Sequence, residues 1–240
     1  MKISIITGSY NCGKYLKTCI KSVRSQKYDD YEHVILNDKS TDNTAKLLNK
    51  WSKSDPRLKI VNPTKRLKCG GSYQELCNHI SGDIVGVLDA DDALVAKAMV
   101  TLASLYDRHP EVGYIWTQFW LCDSNLKKLR KGFSSYPPGS LLEAGQKGKH
   151  CFSHWRTFRR SVLEKGPIFK PLTSAVDKYM GYSLEELAVG GFTSAVLYKY
   201  RQRVGGLSYT GRKNWKLMKK SFHKKREEDG IKTFPIIKLG

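Results

Sequence analysis

Three aspartates follow a short apolar run, and their spacing suggests a site for a bound cation. The run covers residues 82–88, and Asp89, Asp91 and Asp92 come directly after it. Such a run is typical of a buried strand, and open α/β sheets bind ligands where their strands end. Carboxylates so close together repel one another unless a cation lies among them, which favours Mg²⁺ or Mn²⁺. The same acids could instead cap a helix predicted over residues 93–106, because aspartate is a good N-cap residue.

The elements that must position these acids alternate regularly along the first half of the chain. Strand-like patterns at residues 2–7, 32–36, 58–61 and 82–88 alternate with helical patterns at residues 14–26, 43–52 and 73–80. Strands that alternate with helices through short connections favour a mostly parallel sheet with right-handed crossovers. We therefore predict an α/β fold whose central sheet is flanked by helices.

The second half of the chain has a less regular pattern and no convincing linker. It contains a predicted aromatic strand at 113–122, a loop rich in Gly, Pro, Ser and Lys at 132–148, a helix at 175–190 and a last strand at 192–201. A loop of this composition lies at the surface and can move over a site. We expect one sizeable domain that carries a C-terminal appendage.

The chain is strongly basic, with 42 Lys and Arg residues against 22 Asp and Glu and a formal charge of +20. This charge points to an anionic partner. Residues 199–226 hold eleven Lys or Arg and no Asp or Glu, with Trp215, Met218 and Phe222 at helical spacing. That pattern suits DNA or an anionic membrane surface, and it equally suits a solvated basic helix that is packed through its aromatic residues.

Six cysteines show neither a paired zinc-binding pattern nor the density of a small secreted disulfide protein. The first residues are strand-like rather than typical of a signal peptide, and no apolar run approaches transmembrane length. We therefore expect reduced thiols and a cytoplasmic protein that is at most peripheral to a membrane.

Three stretches, taken together and in order, resemble the family 2 glycosyltransferases of the GT-A fold. They are residues 3–11 (ISIITGSYN), 37–44 (NDKSTDNT) and 82–92 (GDIVGVLDADD). The resemblance is good over about residues 1–105 and faint beyond them, apart from residues 197–201, which resemble the family's closing strand. It implies a Rossmann-like GT-A domain over residues 1–205.

This resemblance implies an inverting transfer of a sugar from a nucleotide-diphosphate sugar, most simply a UDP-sugar, to a hydroxyl acceptor with Mn²⁺ or Mg²⁺. Residues 1–105 would bind the nucleotide sugar, residues 106–205 the acceptor, and residues 206–240 would form a basic C-terminal helical extension. The usual acceptors of this family favour a glycan or a lipid-linked glycan here. The positive charge keeps a hydroxymethylated base in DNA as an alternative acceptor. It also keeps an alternative function, that of a non-catalytic nucleic-acid-binding protein with the same fold.

The resemblance also suggests residues that bind the donor and the metal. The nucleoside would lie against Thr7, Gly8, Ser9, Tyr10 and Asp38, and Asn37 stands where the family usually has another acid. Asp91 and Asp92 would share the ribose and the metal, with Asp89 in support. Lys65, Arg66 and Lys68 are candidates for contacts to the diphosphate, although a solvated basic loop would have the same composition.

Inversion by direct displacement needs a base that removes the proton of the acceptor hydroxyl. Asp177 is the candidate, because the family's base precedes a late helix and Asp177 stands where that helix should begin; N-capping of the helix is the alternative role. Glu185 and Glu186 are the second choice, roughly two turns further on.

Four more residues have two possible roles each. His154 and Trp155 could touch the acceptor or the leaving phosphate, or simply be buried. Arg201 and Arg203 could meet phosphates or the acidic rim of the crevice.

Overall fold

The computed structural model describes residues 1–203 and 212–240, and the side chains of residues 212–214 are left out of the description. Its strands are β1 (Ile3–Ser9), β2 (Tyr31–Asn37), β3 (Leu58–Val61), β4 (Ile84–Val87), β5 (Ala93–Leu94), β6 (Val112–Cys122), β7 (Lys128–Lys131), β8 (Arg156–Arg159), β9 (Val189–Arg201) and β10 (Ile236–Leu239). Its helices are α1 (Gly13–Arg24), α2 (Thr44–Ser52), α3 (Lys68–Leu76), α4 (Ala98–Arg108), α5 (Leu141–Gln146), α6 (Val176–Leu187) and α7 (Arg212–Glu228). Short 3-10 turns follow α3 and β8, at Cys77–His79 and Arg160–Glu164.

The strands form one mixed sheet in the order β10-β9-β6-β8-β4-β1-β2-β3, with β5 and β7 paired beside this path. Along the path, β8 runs antiparallel to both of its neighbours, and the other five pairings are parallel. The predicted α/β fold with a mostly parallel central sheet is therefore confirmed. Because β1, β2 and β4 are adjacent and parallel, their carboxyl ends meet at one edge of the sheet.

Residues 37–44 tie the loops at this edge together. The Asp38 amide donates to the Ser9 carbonyl oxygen at 2.8 Å, and the Thr41 amide donates to Asn11 Oδ1 at 2.8 Å. Asp42 Oδ2 accepts the Gly13 amide at 3.0 Å, so a side chain from the second loop satisfies the first turn of α1. The polar residues of this stretch thus brace the crevice that the strand ends create.

The predicted helix at residues 93–106 begins later than expected. Ala93–Leu94 forms β5, which pairs antiparallel with β9, and α4 starts at Ala98. An apolar pattern of this length suits a strand or a helix, and the ladder to the distant β9 decides between them. Asp92 does not cap α4, because the N-cap residue is Lys97. The capping alternative for the acidic cluster is therefore wrong for this helix.

The predicted loop at 132–148 contains the short helix α5, which a capping box between Ser140 and Glu143 begins. Further along the chain, β10 extends the sheet by pairing in parallel with β9, an element that the sequence pattern does not predict. Among the described residues, no helix combines the length and apolar character needed to cross a bilayer.

Helix α7 packs against the domain through the residues that share its predicted apolar stripe. The Phe222 ring lies 5.4 Å from the rings of Tyr179 and Tyr182, and Met218 packs against the same core cluster. Trp215 Nε1 donates to Tyr182 Oη at 3.0 Å. These contacts favour the packed basic helix over the bilayer for this stripe. Residues 204–211, which include the predicted boundary at 205 and 206, lie outside the described part of the chain, so the domain division stays a prediction.

The buried carboxylate of Glu32 connects β2 to its surroundings. It accepts hydrogen bonds from Ser4 Oγ and the Ser81 amide, both at 2.6 Å, and from Lys59 Nζ at 2.6 Å. Burial alone would raise the pKa of Glu32, but the hydrogen bonds from Lys59, Ser4 and Ser81 prevail and lower it from 4.5 to about 2. The ionised form is therefore the one that stabilises the folded state.

We expect Glu32→Gln to lower the free energy of unfolding by about 3 kcal/mol at pH 7, since each pKa unit corresponds to about 1.4 kcal/mol. The wild-type advantage is fully present above pH 4.5 and is lost as the pH falls towards 2. Urea denaturation at pH 7 and pH 3 measures this difference. The exposed Glu164→Gln is the matched control and should change stability by less than about 0.5 kcal/mol. A deficit of Glu32→Gln that is equal at both pH values would contradict the assignment.

Candidate functional site

Asp89 lies on the floor of the crevice and is held by two other elements. Its Oδ1 accepts from Tyr73 Oη on α3 at 2.6 Å, and its Oδ2 accepts from Arg156 Nη2 on β8 at 3.2 Å. The side chain is 32% exposed, so a ligand in the crevice can still reach the carboxylate. Asp89 is therefore oriented by the protein and open to the crevice.

Asp91 and Asp92 have different partners from Asp89. Asp91 Oδ2 accepts from Arg203 Nε, and its carbonyl oxygen accepts from Arg201 Nε. Asp92 is buried, and its carboxylate accepts from Tyr198 Oη and the Arg201 amide, both at 2.7 Å. Burial, followed by the charges of Asp91 and Asp89, raises the pKa of Asp92 well above its usual range. Of the two roles predicted for Arg201 and Arg203, contact with the acidic rim is the one present here.

A cation can fit among Asp89, Asp92 and His154, because one ligand atom of each lies within 4.8 Å of the others. The His154 ring stacks on the rings of Tyr198 and Tyr200, at 4.7 and 4.9 Å between ring centroids. Burial and then the Arg156 charge lower the pKa of His154 to about 3, so the ring is neutral, as a metal ligand must be. Among the described residues this group does not include Asp91, whose carboxylate faces Arg203.

Arg156 is the residue of the site that the sequence did not single out. It is buried, and its Nη2 lies 3.2 Å from Asp89 Oδ2 and 3.1 Å from His154 Nδ1. Its Nε is buried and has no hydrogen-bond partner within the described part of the chain. Burial lowers the pKa of Arg156, but Asp89 and Asp177 raise it further, so the guanidinium stays charged. A single arginine in a strand with no motif around it gives no signal in a sequence.

Trp155, which precedes Arg156 in the chain, is fully buried. A Cβ atom at Gly86 would lie 2.5 Å from Trp155 Cζ2, so the ring packs directly on the backbone of β4. Of the two roles predicted for Trp155, the buried aromatic is the one that the structure contains.

Asp38 is buried, and its two oxygens hold the last residue of the loop before α3 and the first residue of that helix. Oδ1 accepts the Leu67 amide at 2.6 Å and Oδ2 accepts the Lys68 amide at 2.8 Å. Asp38 thereby fixes the loop that carries Arg66, whose guanidinium carbon lies 3.5 Å from the centroid of the Tyr10 ring. Direct contact between Asp38 and a base stays a prediction.

The other residues expected at the nucleoside are placed around β1. Thr7 is buried with its Oγ1 2.9 Å from His33 Nε2, and Ser9 is buried at the end of the strand. Tyr10 is 38% exposed at the crevice. Gly8 lies against α3, where an added Cβ would meet Ser72 Cβ at 3.4 Å. Of the basic candidates, Lys65 and Arg66 are exposed, while Lys68 begins α3 with a left-handed φ of 62°.

Asp177 lies in the first turn of α6, where it is not the N-cap residue, since that position is Ala175. Lys178 Nζ lies 3.1 Å from Asp177 Oδ2. Burial alone would raise the pKa of Asp177, but the charges of Lys178 and Arg156 lower it to about 2. Asp177 is therefore a carboxylate at neutral pH, and its ion-pair partner is Lys178 on the same helix.

The two alternative bases are engaged elsewhere. Glu185 Oε1 accepts from Arg226 Nη1 at 2.8 Å, and Glu186 Oε1 accepts from Arg226 Nε at 2.7 Å. Glu185 also accepts the Leu141 and Leu142 amides at 2.6 and 3.1 Å. Both acids therefore hold α5, α6 and α7 together.

The chain resembles known proteins both in sequence and in fold. Residues 4–166 match the model of "Glycosyl transferase family 2". An uncharacterized glycosyltransferase of Nostoc sp., alr2836, is 29% identical over 174 residues, which cover 69% of this chain and 53% of that protein. The chain therefore spans about half the length of this relative.

Two solved structures share the fold. S. aureus TarS 1-349 in complex with UDP-GlcNAc has a TM-score of 0.73 at 20% identity, over 88% of this chain and 61% of that one. The mannosyltransferase PcManGT from Pyrobaculum calidifontis, in complex with GDP-Man and Mn²⁺, has a TM-score of 0.66 at 17% identity, over 97% of this chain and 65% of that one. The family model covers more than half of the chain, and the GT-A fold agrees with it. The chain therefore belongs to glycosyl transferase family 2.

Proposed function

We propose that this chain transfers a sugar, with inversion, from a nucleotide-diphosphate sugar to a hydroxyl group of a glycan or lipid-linked glycan. The observation that carries the proposal is the acidic crevice after β4, where Tyr73 and Arg156 orient Asp89 and where Asp92 and His154 lie close to it. Asp177, which is ionised at the start of α6, is the carboxylate that we assign as the base. The nucleotide sugars bound by TarS and PcManGT support a donor of this class.

The donor nucleotide would lie at the ends of β1 and β2. Tyr10 and Arg66 offer a flat, partly exposed surface for a base, and the backbone from Thr7 to Ser9 faces the same edge. Asp38 would act through the loop that it fixes, which brings Arg66 and Lys68 towards the diphosphate. We propose UDP as the nucleotide.

Mn²⁺ or Mg²⁺ would be held by Asp89 and Asp92 together with His154, because carboxylate oxygens and a neutral imidazole suit such a cation. Arg203 already neutralises Asp91, the third predicted ligand, so we assign Asp91 to the nucleotide rather than to the metal. The bound cation would neutralise the charge of the departing diphosphate.

The transfer step follows from the position of Asp177. The acceptor oxygen bonds to the anomeric carbon, and its proton passes to the Asp177 carboxylate. The bond from that carbon to the diphosphate oxygen breaks, and the nucleoside diphosphate leaves with the electron pair. Attack from the side opposite the leaving group inverts the anomeric centre.

Asp89→Asn tests the donor site. We expect the variant to hydrolyse UDP-GlcNAc in the presence of Mn²⁺ about 10² to 10³ times more slowly than the wild type, because charge stabilisation of a leaving diphosphate is worth several kcal/mol. Released UDP is the readout, with GDP-mannose as a parallel donor. The matched control is the exposed Asp107→Asn on α4, which should keep the wild-type rate. Equal rates in Asp89→Asn and the wild type, or no binding of any nucleotide sugar, would overturn the proposal.

A further inference from the structure

An open cleft lies between α1 and the end of β9, beside the turn that joins β6 to β7. We name it the α1–β9 cleft, and its volume is about 710 Å³. One wall is α1, which contributes Lys14 and Lys21, and the other includes Lys199 and the turn at residues 124–126. None of the described residues that line the cleft is Asp or Glu. The cleft therefore combines cationic walls with room for a ligand of the size of a lipid headgroup.

The lysines of the cleft are not paired with acids in the part of the chain that the structure describes. Lys14 and Lys21 are exposed and lie two turns apart on α1, and Lys199 is half-buried on β9. None of the ion pairs among the described residues includes any of the three. Asp123, which precedes the turn, accepts two backbone amides of the same β6–β7 connection, both at 2.9 Å. The three positive charges of the cleft are thus available to an anionic partner.

The basic surface continues from the cleft onto β7. In the sheet, Trp120 on β6 pairs with Lys199 on one side and with Lys131 on the other. Directly paired residues of neighbouring strands lie on the same face of a sheet. All of β7 is exposed, and Lys128 Nζ lies 4.9 Å from the Trp120 ring. We name this surface the basic face, and its lysines are Lys14, Lys21, Lys128, Lys131 and Lys199.

Exposed apolar side chains accompany these charges. Leu129 on β7 is 57% exposed, and Phe133, which follows the strand by two residues, is 52% exposed. Lysines beside exposed apolar groups are typical of a surface that lies on an anionic bilayer. The lysines meet the headgroups there, while the apolar side chains enter the interface.

Nucleic acid is the other polyanion that a basic surface could bind, and two observations disfavour it. Single strands need open aromatic rings on which bases stack. Tyr15 is the only aromatic among the described residues of the cleft lining, and the guanidinium carbons of Arg201 and Arg203 lie 4.8 and 5.5 Å from its ring. The phosphates of a duplex would leave Leu129 and Phe133 in water. The basic face therefore suits a bilayer better than it suits nucleic acid.

The basic face starts at the same edge of the sheet as the acidic crevice. β8 runs antiparallel to β4 and to β6, and β9 is parallel to β6, so the carboxyl ends of β4, β6 and β9 share this edge. Lys199 is two residues from the end of β9, and α1 follows the end of β1, which is parallel to β4. A bilayer on the basic face would therefore lie close to the mouth of the crevice.

We propose that the basic face binds an anionic lipid bilayer, with a headgroup phosphate in the α1–β9 cleft. Helix α7 is a separate basic element, because its apolar stripe is packed against the domain. Each basic residue near an anionic surface strengthens attachment about fivefold, so five lysines together supply roughly 10³-fold. The inference goes beyond the proposed function and does not depend on it, since bilayer binding needs neither donor nor acceptor.

Sedimentation of the full chain with lipid vesicles tests the proposal. Phosphatidylcholine vesicles with and without phosphatidylglycerol are compared in about 0.1 M and about 1 M NaCl, between which the Debye length falls from about 10 Å to about 3 Å. We expect binding to the phosphatidylglycerol vesicles that weakens at least about tenfold at high salt, and much weaker binding to phosphatidylcholine alone. Equal binding to both kinds of vesicle, or binding to neither, would overturn the proposal.

Charge variants locate the attachment. Lys14→Gln, Lys21→Gln and Lys199→Gln together should weaken binding to the anionic vesicles by about 10²-fold. The pair Lys14→Gln and Lys21→Gln leaves β9 unchanged and should still weaken it by about tenfold. Leu129→Ser should reduce binding to the vesicles further, because an exposed leucine then no longer enters the interface. Circular dichroism verifies that each variant is folded.

The matched control removes the same number of exposed lysines from α7, at Lys216, Lys220 and Lys225. This triple Lys→Gln variant should bind the anionic vesicles within about threefold of the wild type, because it retains the whole basic face. A larger loss in the α7 variant than in the variant of the cleft would place the attachment on α7 and refute the basic face.

Two further measurements distinguish the alternatives. Tighter binding of a DNA duplex than of the anionic vesicles, lost in the variant of the cleft, would overturn the bilayer in favour of nucleic acid. UDP-GlcNAc hydrolysis without vesicles separates the inference from the proposed function. Hydrolysis by a chain that binds no vesicles would refute the basic face alone, and vesicle binding by a chain that binds no nucleotide sugar would refute the transferase proposal alone.

Discussion

Asp177→Asn is expected to reduce sugar transfer by about 10² to 10⁴-fold, because that is the usual contribution of a positioned general base. The amide keeps the shape of the side chain but cannot accept the proton of the acceptor hydroxyl. Binding of the donor should change little, since the ion pair of Asp177 is with Lys178 on its own helix and not with a residue at the β1 and β2 edge. Initial rates of transfer, together with the affinity for UDP from calorimetry, measure the two effects separately.

Glu186→Gln is the matched control for the base. Glu186 is bound to Arg226 and should leave transfer close to the wild-type rate, although the sequence alone made it a rival. The pKa of Asp177 is lowered to about 2, so the carboxylate is available above that pH and is lost only below it. We therefore expect no acid limb from Asp177 between pH 5 and 8. Transfer that survives in Asp177→Asn and disappears in Glu186→Gln would reverse the assignment.

The core of this fold could be predicted from local pattern. The alternation up to residue 88 gives the order of β1, α1, β2, α2, β3, α3 and β4, and β3 matches its expected bounds of 58 and 61. Runs of apolar residues in parallel strands carry a strong signal because both faces are buried. The aspartates after β4 followed from the same logic, since the end of a parallel strand is where side chains enter a crevice.

Elements that depend on distant partners could not be predicted in this way. β5 has two residues and exists because Ala93 pairs with Lys199, over a hundred positions away. β10 likewise depends on its pairing with Gly190 to Thr193. Short strands have too few residues for a periodic pattern, so their pairing partner decides their structure.

The candidate site shows the same limit. Asp89 and Asp177 could be proposed from strand and helix ends. The roles of Asp89, Asp91 and Asp92 differ, however, because their partners come from residues much later in the chain. Arg203 faces Asp91, Tyr198 faces Asp92, and Arg156 faces Asp89. His154 joins Asp89 and Asp92 although it lies more than sixty residues away. A metal ligand without a nearby motif becomes visible only in three dimensions.

Stability should be most sensitive at the contact that joins α7 to the domain. Arg226, which is 10% exposed, is paired with Glu185, which is fully buried and also holds the first amides of α5. We expect Arg226→Met to lower the free energy of unfolding at pH 7 by about 3 to 5 kcal/mol, because it leaves a buried carboxylate without a counter-charge. Urea denaturation followed by circular dichroism measures this loss.

The pH dependence identifies the cause of that loss. Burial raises the pKa of Glu185 even with Arg226 present, so its folded-state proton affinity exceeds that of the unfolded chain. Without Arg226 the penalty should be full above the raised pKa of Glu185 and should disappear as the pH falls below about 4.5, the unfolded value. Glu185→Gln added to Arg226→Met should recover part of the stability at pH 7, since no charge is then buried.

Lys224→Met on the same helix is the control for loss of a positive charge. Its side chain is 74% exposed and pairs with Glu228 at 3.6 Å, so the change should cost less than about 0.5 kcal/mol. If Arg226→Met is no more costly than Lys224→Met, the buried pair does not anchor α7. Helix α7 would then be held by the packing of Met218 and Phe222 and by the hydrogen bonds of Trp215 and Lys219.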